Sequence, residues 1–388
     1  MSIAYLNSTF LLAHIFNISF SYLIRYPSPK NIGYLWNYGS LSAFFLGVQV
    51  VSGLVLSMFY TAHIDYAFDS VDAFMNNIQY GWLVRYIHLN GASFMFLCIY
   101  VHMFRGIYYA SYHYPRIQLW FSGVTIFLVL MATAFLGYVL PWGQMSFWAA
   151  TVITNFLTIV PFIGDNLLCW VWGGYSINNA TLNRFFSIHY LLPFILMVLA
   201  GVHLFLLHET SSTTELKLKV TMYNKINFFP FYAMKDLVTV WLFLFFFLTV
   251  ITFSPELFNH SINYIPANFL VTPKHIVPEW YFLPYYAILR SIPNKLIGIL
   301  MMLCSIIVLY GLPIFDTNKY FQSSLLLGRQ LFWIFSTNLV YLGFLGSQTM
   351  DYPSCQLGLF CTIVHFAYII VILPSNKYIF AGYGIADK

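Results

Sequence analysis

The chain has 388 residues; 60% are hydrophobic, only 7% are charged, and the formal net charge is +5. A soluble domain carries about a quarter of its residues as charged groups, so the composition excludes a water-exposed globule, and so small a charge excess excludes nucleic acid as the natural partner. Backbone groups inside a bilayer must be satisfied within their own segment, and the apolar stretches lack the alternation of barrel strands, so an all-α membrane fold is expected.

Taken in chain order, hydropathy predicts a short surface helix before residue 41 and then eight spanning helices. These lie at residues 41–60, 82–110, 117–140, 183–208, 236–253, 296–312, 325–346 and 357–373. The stretch 142–172 is apolar but broken by Pro161 and several glycines, and reads as helices lying at the membrane interface. Eight spans put both termini on one side. That side then holds 12 of the 17 basic residues, among them Lys217, Lys219, Lys319, Lys377 and Lys388, against Arg85, Arg184, Lys274, Arg290 and Lys295 on the other. By the positive-inside rule the termini face the negative side, the cytoplasm or matrix. Of the five cysteines, Cys98, Cys169, Cys304 and Cys361 read as small buried hydrophobes and Cys355 sits near a loop. None forms a CxxC pair or a CxxCH attachment site. No phosphate-binding glycine loop and no nucleophile elbow is present.

Histidine inside a span is costly and usually functional. The second span holds His88 and His102 and the fourth holds His189 and His203, each pair 14 residues apart. Random placement of eleven histidines gives about 0.3 such pairs in the whole chain. Fourteen residues are nearly four helical turns, so each pair shares one face with its members about 21 Å apart. The two spans run in the same direction, so His88 can face His189 and His102 can face His203. Each facing pair offers two imidazoles, which suits a six-coordinate b-type haem with no open position for oxygen. Two such haems stacked across the core make an electron wire. Gly39 with Gly53 and Gly123 with Gly137 repeat the 14-residue pitch on flanking helices, where planar rings would need small neighbours; Gly33 with Gly47 repeats it too. Arg85 and Arg105 each lie three residues from a histidine, placed to pair with haem propionates. His14 and His365 read as ordinary interhelical hydrogen-bond partners. A proton or cation transporter is the competing class, but its spans would carry mid-membrane carboxylates, and Glu209 and Asp236 sit at helix ends.

Three runs, GWLVRYIHLNGASFMFLCIYVHMFRG, GYVLPWGQMSFWAATVITN and PEWYFLPYYAILRSIPNK, resemble the mitochondrial cytochrome b family, and the similarity extends over nearly the whole chain. The resemblance implies the cytochrome b subunit of a ubiquinol:cytochrome c oxidoreductase in the mitochondrial inner membrane. That subunit oxidises ubiquinol at the positive side and reduces ubiquinone at the negative side, coupled to proton translocation. Two non-covalent haems are implied, the low-potential one at His88 and His189, the high-potential one at His102 and His203. Implied partners are a Rieske iron–sulfur subunit, a c-type cytochrome subunit and a second copy in a dimeric complex. Residues 1–215 would form the haem-binding four-helix bundle with its interfacial helices, and 216–388 a four-span domain bearing the Pro-Glu-Trp-Tyr loop.

The quinol-oxidising site resembles the family's at Pro278, Glu279, Trp280 and Tyr281, with Tyr138 and Tyr286 beside it. A quinol losing two electrons also loses two protons, and Glu279 is the carboxylate placed to accept one. The quinone-reducing site is implied at His208 and Asp236, with Ser212 at its rim. Two departures stand out: Ser211, Ser212, Thr213, Thr214 and Glu215 replace the family's usual rim sequence, and Asn259, His260, Ser261, Ile262 and Asn263 replace an acidic loop. Ala149 stands where the family usually has glycine, in the wall of the quinol pocket; its methyl is expected to hinder methoxyacrylate-type inhibitors.

Overall fold

The computed structural model describes residues 24–214, 222–316, 326–349 and 351–375. His14, Glu215, Lys217, Lys219, Lys319, Lys377, Lys388 and the expected domain boundary at 215/216 lie outside the described residues. Among the described residues twelve α-helices carry the fold: α1 (Tyr38–Ser57), α2 (Ala67–Asn77), α3 (Gly81–Tyr108), α4 (Ile117–Val139), α5 (Gln144–Thr154), α6 (Gly164–Trp172), α7 (Asn179–Thr210), α8 (Phe231–Phe253), α9 (Leu283–Ser291), α10 (Lys295–Phe315), α11 (Leu326–Ser347) and α12 (Ser354–Ala367). A turn of π-helix over Tyr368–Ile372 continues α12. A two-stranded antiparallel ribbon pairs β1 (Pro27–Pro29) with β2 (Lys225–Asn227).

Among the described residues seven helices are both long and apolar enough to cross a membrane: α1, α3, α4, α7, α8, α10 and α12 with its continuation. The expected eighth, α11, has 22 residues and is long enough, but it is less apolar, since Arg329, Gln330 and Asn338 interrupt it. The count of eight therefore holds by length and not by composition. The stretch 142–172 does form helices, α5 and α6 joined by a 3-10 turn at Asn155–Ile159. Before α1 the described residues hold a 3-10 turn, Tyr34–Asn37. Helix α2 was not expected; Asp69, Asp72 and its asparagines hide its apolar residues from a hydropathy window.

The ends of the long helices are set locally. Asn178 caps α7 by accepting from the Ala180 and Thr181 amides, while the Thr181 hydroxyl accepts from the Asn178 amide, a reciprocal box that fixes where the helix starts. Helix α3 packs on α1 and α7 packs on α4, whereas α3 and α7 scarcely touch each other. One apolar core, built on Phe45, Phe94, Phe96, Phe127 and Phe247, joins the bundle to Tyr281 and Tyr285 of the second half. Cys98 and Cys361 are buried as expected, but Cys304 is exposed on the outer face of α10, where lipid rather than protein would cover it. His365 is buried, packs beside Phe335 and Phe366, and has the Ser305 backbone of α10 as its polar neighbour.

Candidate functional site

The histidines meet as their spacing requires. The rings of His88 and His189 face each other with centroids 6.4 Å apart and planes at 88°. Those of His102 and His203 lie 6.3 Å apart at 65°. Because α3 and α7 make so few contacts, the rings look across a gap and not across a packed seam.

Three of the four imidazoles are fixed in tautomer. Ser52 donates its hydroxyl proton to the Val48 carbonyl at 2.6 Å, so its oxygen accepts from His88 Nδ1 at 3.0 Å. Ser122 does the same, donating to Leu119 O at 2.8 Å and accepting from His203 Nδ1 at 2.8 Å. His189 Nδ1 donates to the Thr133 carbonyl at 2.8 Å. With Nδ1–H held, each Nε2 keeps a lone pair for a metal, the arrangement that orients ligating histidines. His102 Nδ1 is buried with no such partner.

The glycines sit under these rings. A Cβ at Gly53 would stand 3.0 Å from His88 Cε1, at Gly39 3.1 Å from His102 Cε1, at Gly123 3.1 Å from His203 Cε1, and at Gly137 2.4 Å from His189 Cε1. What each glycine first makes room for is therefore a histidine, which in turn would face the cofactor. Gly47 has no neighbour within 4 Å, so the third glycine pair is a coincidence of spacing.

A cleft with about 850 Å³ of empty space is lined by Gly53, Arg85, His88, Gly137 and His189. It adjoins a second, of about 970 Å³, lined by Tyr138, Glu279 and Tyr281. Gln49, Arg85, His88, Gly137, Pro141, His189 and Pro193 belong to both. Near the other pair, the Arg105 guanidinium lies 5.2 Å from the Trp36 ring centre, and its buried Nε has no hydrogen bond. A buried cationic donor without a partner calls for an anion. Facing half-buried imidazoles with free Nε2 atoms, an open cleft at the His88–His189 pair and, at the other pair, an orphaned guanidinium nitrogen fit haem with propionates.

Glu279 opens the 3-10 turn Trp280–Phe282. Burial pushes its carboxyl up to about 7, and the neighbouring Tyr138 hydroxyl partly opposes this. The Tyr138 hydroxyl is buried beside that carboxyl. Tyr281 lies flat on Phe96, 3.9 Å between centroids, and burial, with Glu279 next in effect, holds its phenol protonated. Tyr286 is not part of this lining; its hydroxyl donates to the Ile276 carbonyl at 3.1 Å and Arg290 covers its ring. The altered loop is stitched to α5: Asn263 Oδ1 accepts from the Ser146 amide at 2.9 Å, and Asn259 donates to Glu256 at 2.9 Å. Ala149 is 4% exposed inside α5 and is not among the residues lining the cleft.

At the far end, His208 on the last turns of α7 stacks on Tyr26, 4.1 Å between centroids at 11°. The chain leading out of Tyr26 pairs with the chain leading into α8, because Phe228 N donates to Tyr26 O at 2.8 Å. Asp236 lies in the second turn of α8, close to Ser40 and Lys235. The carbonyls of Ser211 and Ser212 accept from Arg116 at 2.8 and 3.4 Å.

Several residues escaped sequence reasoning. Ser52 and Ser122 could have been found, since each immediately precedes a paired glycine. The Thr133 carbonyl and Pro193, four residues after His189, carry no such signal.

Comparisons with known proteins agree with this geometry. Residues 23–211 match the family model described as Cytochrome b/b6/petB. Residues 266–366 match Cytochrome b(C-terminal)/b6/petD. The chain is 51% identical over 366 residues to a cytochrome b of Acanthamoeba castellanii, covering 93% of this chain and 95% of that one. It is 50% identical over 355 residues to one of Dictyostelium discoideum, covering 90% of each, and 49% identical over 352 residues to one of Rickettsia conorii, covering 90% of this chain and 88% of that. A solved chain of a hyperthermophilic respiratory Complex III superposes with a TM-score of 0.87 at 33% identity, covering 95% of this chain and 98% of that chain.

Proposed function

The chain belongs to the cytochrome b family, a respiratory electron-transfer subunit, and on that footing we propose that it is the catalytic subunit of a quinol:cytochrome c oxidoreductase with two haems. It is a multi-pass membrane protein that binds b-type haem and interacts with quinone. The observation that carries the proposal is the pair of facing imidazoles, His88 with His189, sharing one cleft system with Glu279.

His88 and His189 would hold one haem and His102 and His203 the other, with Arg85 and Arg105 for propionates and Gly39, Gly53, Gly123 and Gly137 beneath the ligands. Bound haem supplies reversible one-electron transfer along the axis of the bundle. The rest is the work of this chain's side chains. Ubiquinol enters the Glu279 cleft and gives up two electrons and two protons. Glu279 takes one proton when it is ionised, and its carboxyl near 7 is matched to that task. Tyr138 and Tyr281, neutral phenols, orient the quinol oxygen. One electron leaves toward a Rieske iron–sulfur subunit and on to a c-type cytochrome subunit. The other crosses to the opposite end, where His208, Asp236 and Ser212 bind quinone and donate hydrogen bonds and protons as it is reduced. Both termini face the matrix side, residues 1–215 form the haem bundle and 216–388 the four-span domain, and a second copy completes a dimer in the mitochondrial inner membrane.

The test is a dithionite-reduced spectrum of the purified complex, native and with His102→Leu or His203→Leu. The native protein shows two b-type bands, and each variant loses the same one, because neither site has a spare ligand. Retention of both bands in either variant refutes the pairing.

A further inference from the structure

Helix α3 carries two working faces. His88 and His102 look toward α7. At 100° per residue, Tyr86, Asn90, Ser93 and Tyr100 lie on roughly the opposite side, and each makes a polar contact with the second half of the chain. Tyr86 donates to the Glu256 carboxylate at 2.5 Å, and Asn90 donates to the Pro255 carbonyl at 3.0 Å. Ser93 accepts from the Trp280 indole at 3.0 Å, and the Tyr100 hydroxyl donates to the Tyr281 carbonyl. Phe96, beside this stripe, stacks on the Tyr281 ring at 1°. The two residues that follow Glu279 are thus fixed three times over: by the Trp280 side chain, the Tyr281 ring and the Tyr281 carbonyl. The Glu279 carboxyl lines the cleft with His88, with the Tyr138 hydroxyl beside it, and its place follows from where the turn is held.

We propose that Tyr100 and Ser93 are positioning residues for quinol oxidation: they bolt the Trp280–Tyr281 turn to the helix that carries His88, and so set where the Glu279 carboxyl stands. Tyr100 stands outside the cleft lining, and Ser93, at its wall, has its oxygen engaged by the Trp280 indole. The inference rests on the reading of Glu279 as proton acceptor. A fixed turn matters because proton acceptance needs the carboxylate within hydrogen-bond reach of the quinol hydroxyl, and a displacement of about 1 Å can cost roughly 100-fold in rate.

The experiment compares Tyr100→Phe, Ser93→Ala and Glu279→Gln in the intact complex. It reads kcat, KM, the pH profile of quinol oxidation and the reduced haem bands. Tyr100→Phe keeps the ring and removes the donor. The expected result is a fall in kcat of about 10- to 100-fold, a smaller change in KM, a rising pH limb displaced from its native position, and haem bands intact. Ser93→Ala shows the same pattern more weakly, because Trp280 remains packed between Tyr100 and Phe258. If Glu279→Gln flattens the pH profile while Tyr100→Phe and Ser93→Ala leave both kcat and profile native, the positioning role is overturned and the acceptor stands. If Glu279→Gln itself leaves the profile unchanged, the acceptor reading fails, and this inference with it. A Tyr100→Phe protein that only loses thermal stability, with native kcat and profile, also overturns it.

Discussion

At one end of the haem bundle both imidazoles are tied and crowded. His88 is held by Ser52, His189 by the Thr133 carbonyl, and Gly137 leaves His189 so little room that a Cβ would stand 2.4 Å from its ring. The adjoining cleft has its carboxyl, its phenols and its backbone turn already in place. At the other end only His203 is tied, the glycine contacts are both 3.1 Å, and of the residues proposed to bind quinone His208 stacks on Tyr26 while Asp236 stands in α8 beside Ser40 and Lys235. The difference follows the chemistry. Oxidation at the first end requires a proton acceptor and an electron exit on each side of one quinol, at fixed distances. Reduction at the second end needs no such pairing of acceptor and exit and tolerates a looser frame.

The sharpest way to break this comparison is to add one methyl group at each end. Gly137→Ala drives a Cβ into a ring that its hydrogen bond to Thr133 prevents from moving, at an overpacking cost of about 1–3 kcal/mol. The expected outcome is loss of the haem held by His88 and His189. Gly39→Ala meets His102 at 3.1 Å, and that ring has no hydrogen bond holding Nδ1, so it can give by a few tenths of an ångström. Reduced spectra of both variants check this; equal loss at the two ends would abolish the asymmetry.

Glu279→Gln comes next in size. With the native carboxyl held near 7, the acceptor is largely neutral at pH 6 and ionised at pH 8, so quinol oxidation rises through pH 7 and levels off above it. The glutamine variant loses that rise and slows by about 10- to 100-fold, at the modest end of acid–base effects because water can substitute, with both haem bands intact. Turnover measured from pH 5.5 to pH 9, about three units around that carboxyl value, is the check. The smallest effect is expected at the looser end: His208→Leu or Asp236→Asn slows haem reoxidation by roughly tenfold, the worth of one good hydrogen bond, and leaves haem reduction by quinol alone. Stopped-flow reduction and reoxidation traces separate the two steps.

How much of this was legible beforehand depends on whether a feature repeats along one helix. His88, His102, His189 and His203 were legible because a 14-residue register survives in the sequence when two helices share a ligand pair. The spans were legible from apolar length, and α11 blurred the count only because Arg329 and Asn338 dilute it. The glycines gave their register but not what lies above them, since spacing does not say which of several neighbours a missing Cβ would strike. Tyr286 and Ala149 sit near the cleft residues in sequence yet outside the cleft lining, because tertiary packing turns the Tyr286 hydroxyl to the Ile276 carbonyl and buries Ala149 within α5. The residues proposed for the far quinone site have separate neighbours, His208 on Tyr26 and Asp236 beside Ser40 and Lys235, and no local pattern in the sequence announces either contact.

The gap between α3 and α7 has a consequence for how the protein comes to exist. Helices α1 with α3 and α4 with α7 form the closest pairs; the aromatic core around Phe96 and Phe127 joins the pairs, but α3 and α7 scarcely touch across the histidines. A ligand that bridges both pairs and has no affinity for them apart stabilises the joined state by mass action, about 4 kcal/mol at a thousandfold excess over its Kd. Haem supply then acts on the quantity of assembled subunit, through the equilibrium between parted and joined pairs, before it acts on any electron.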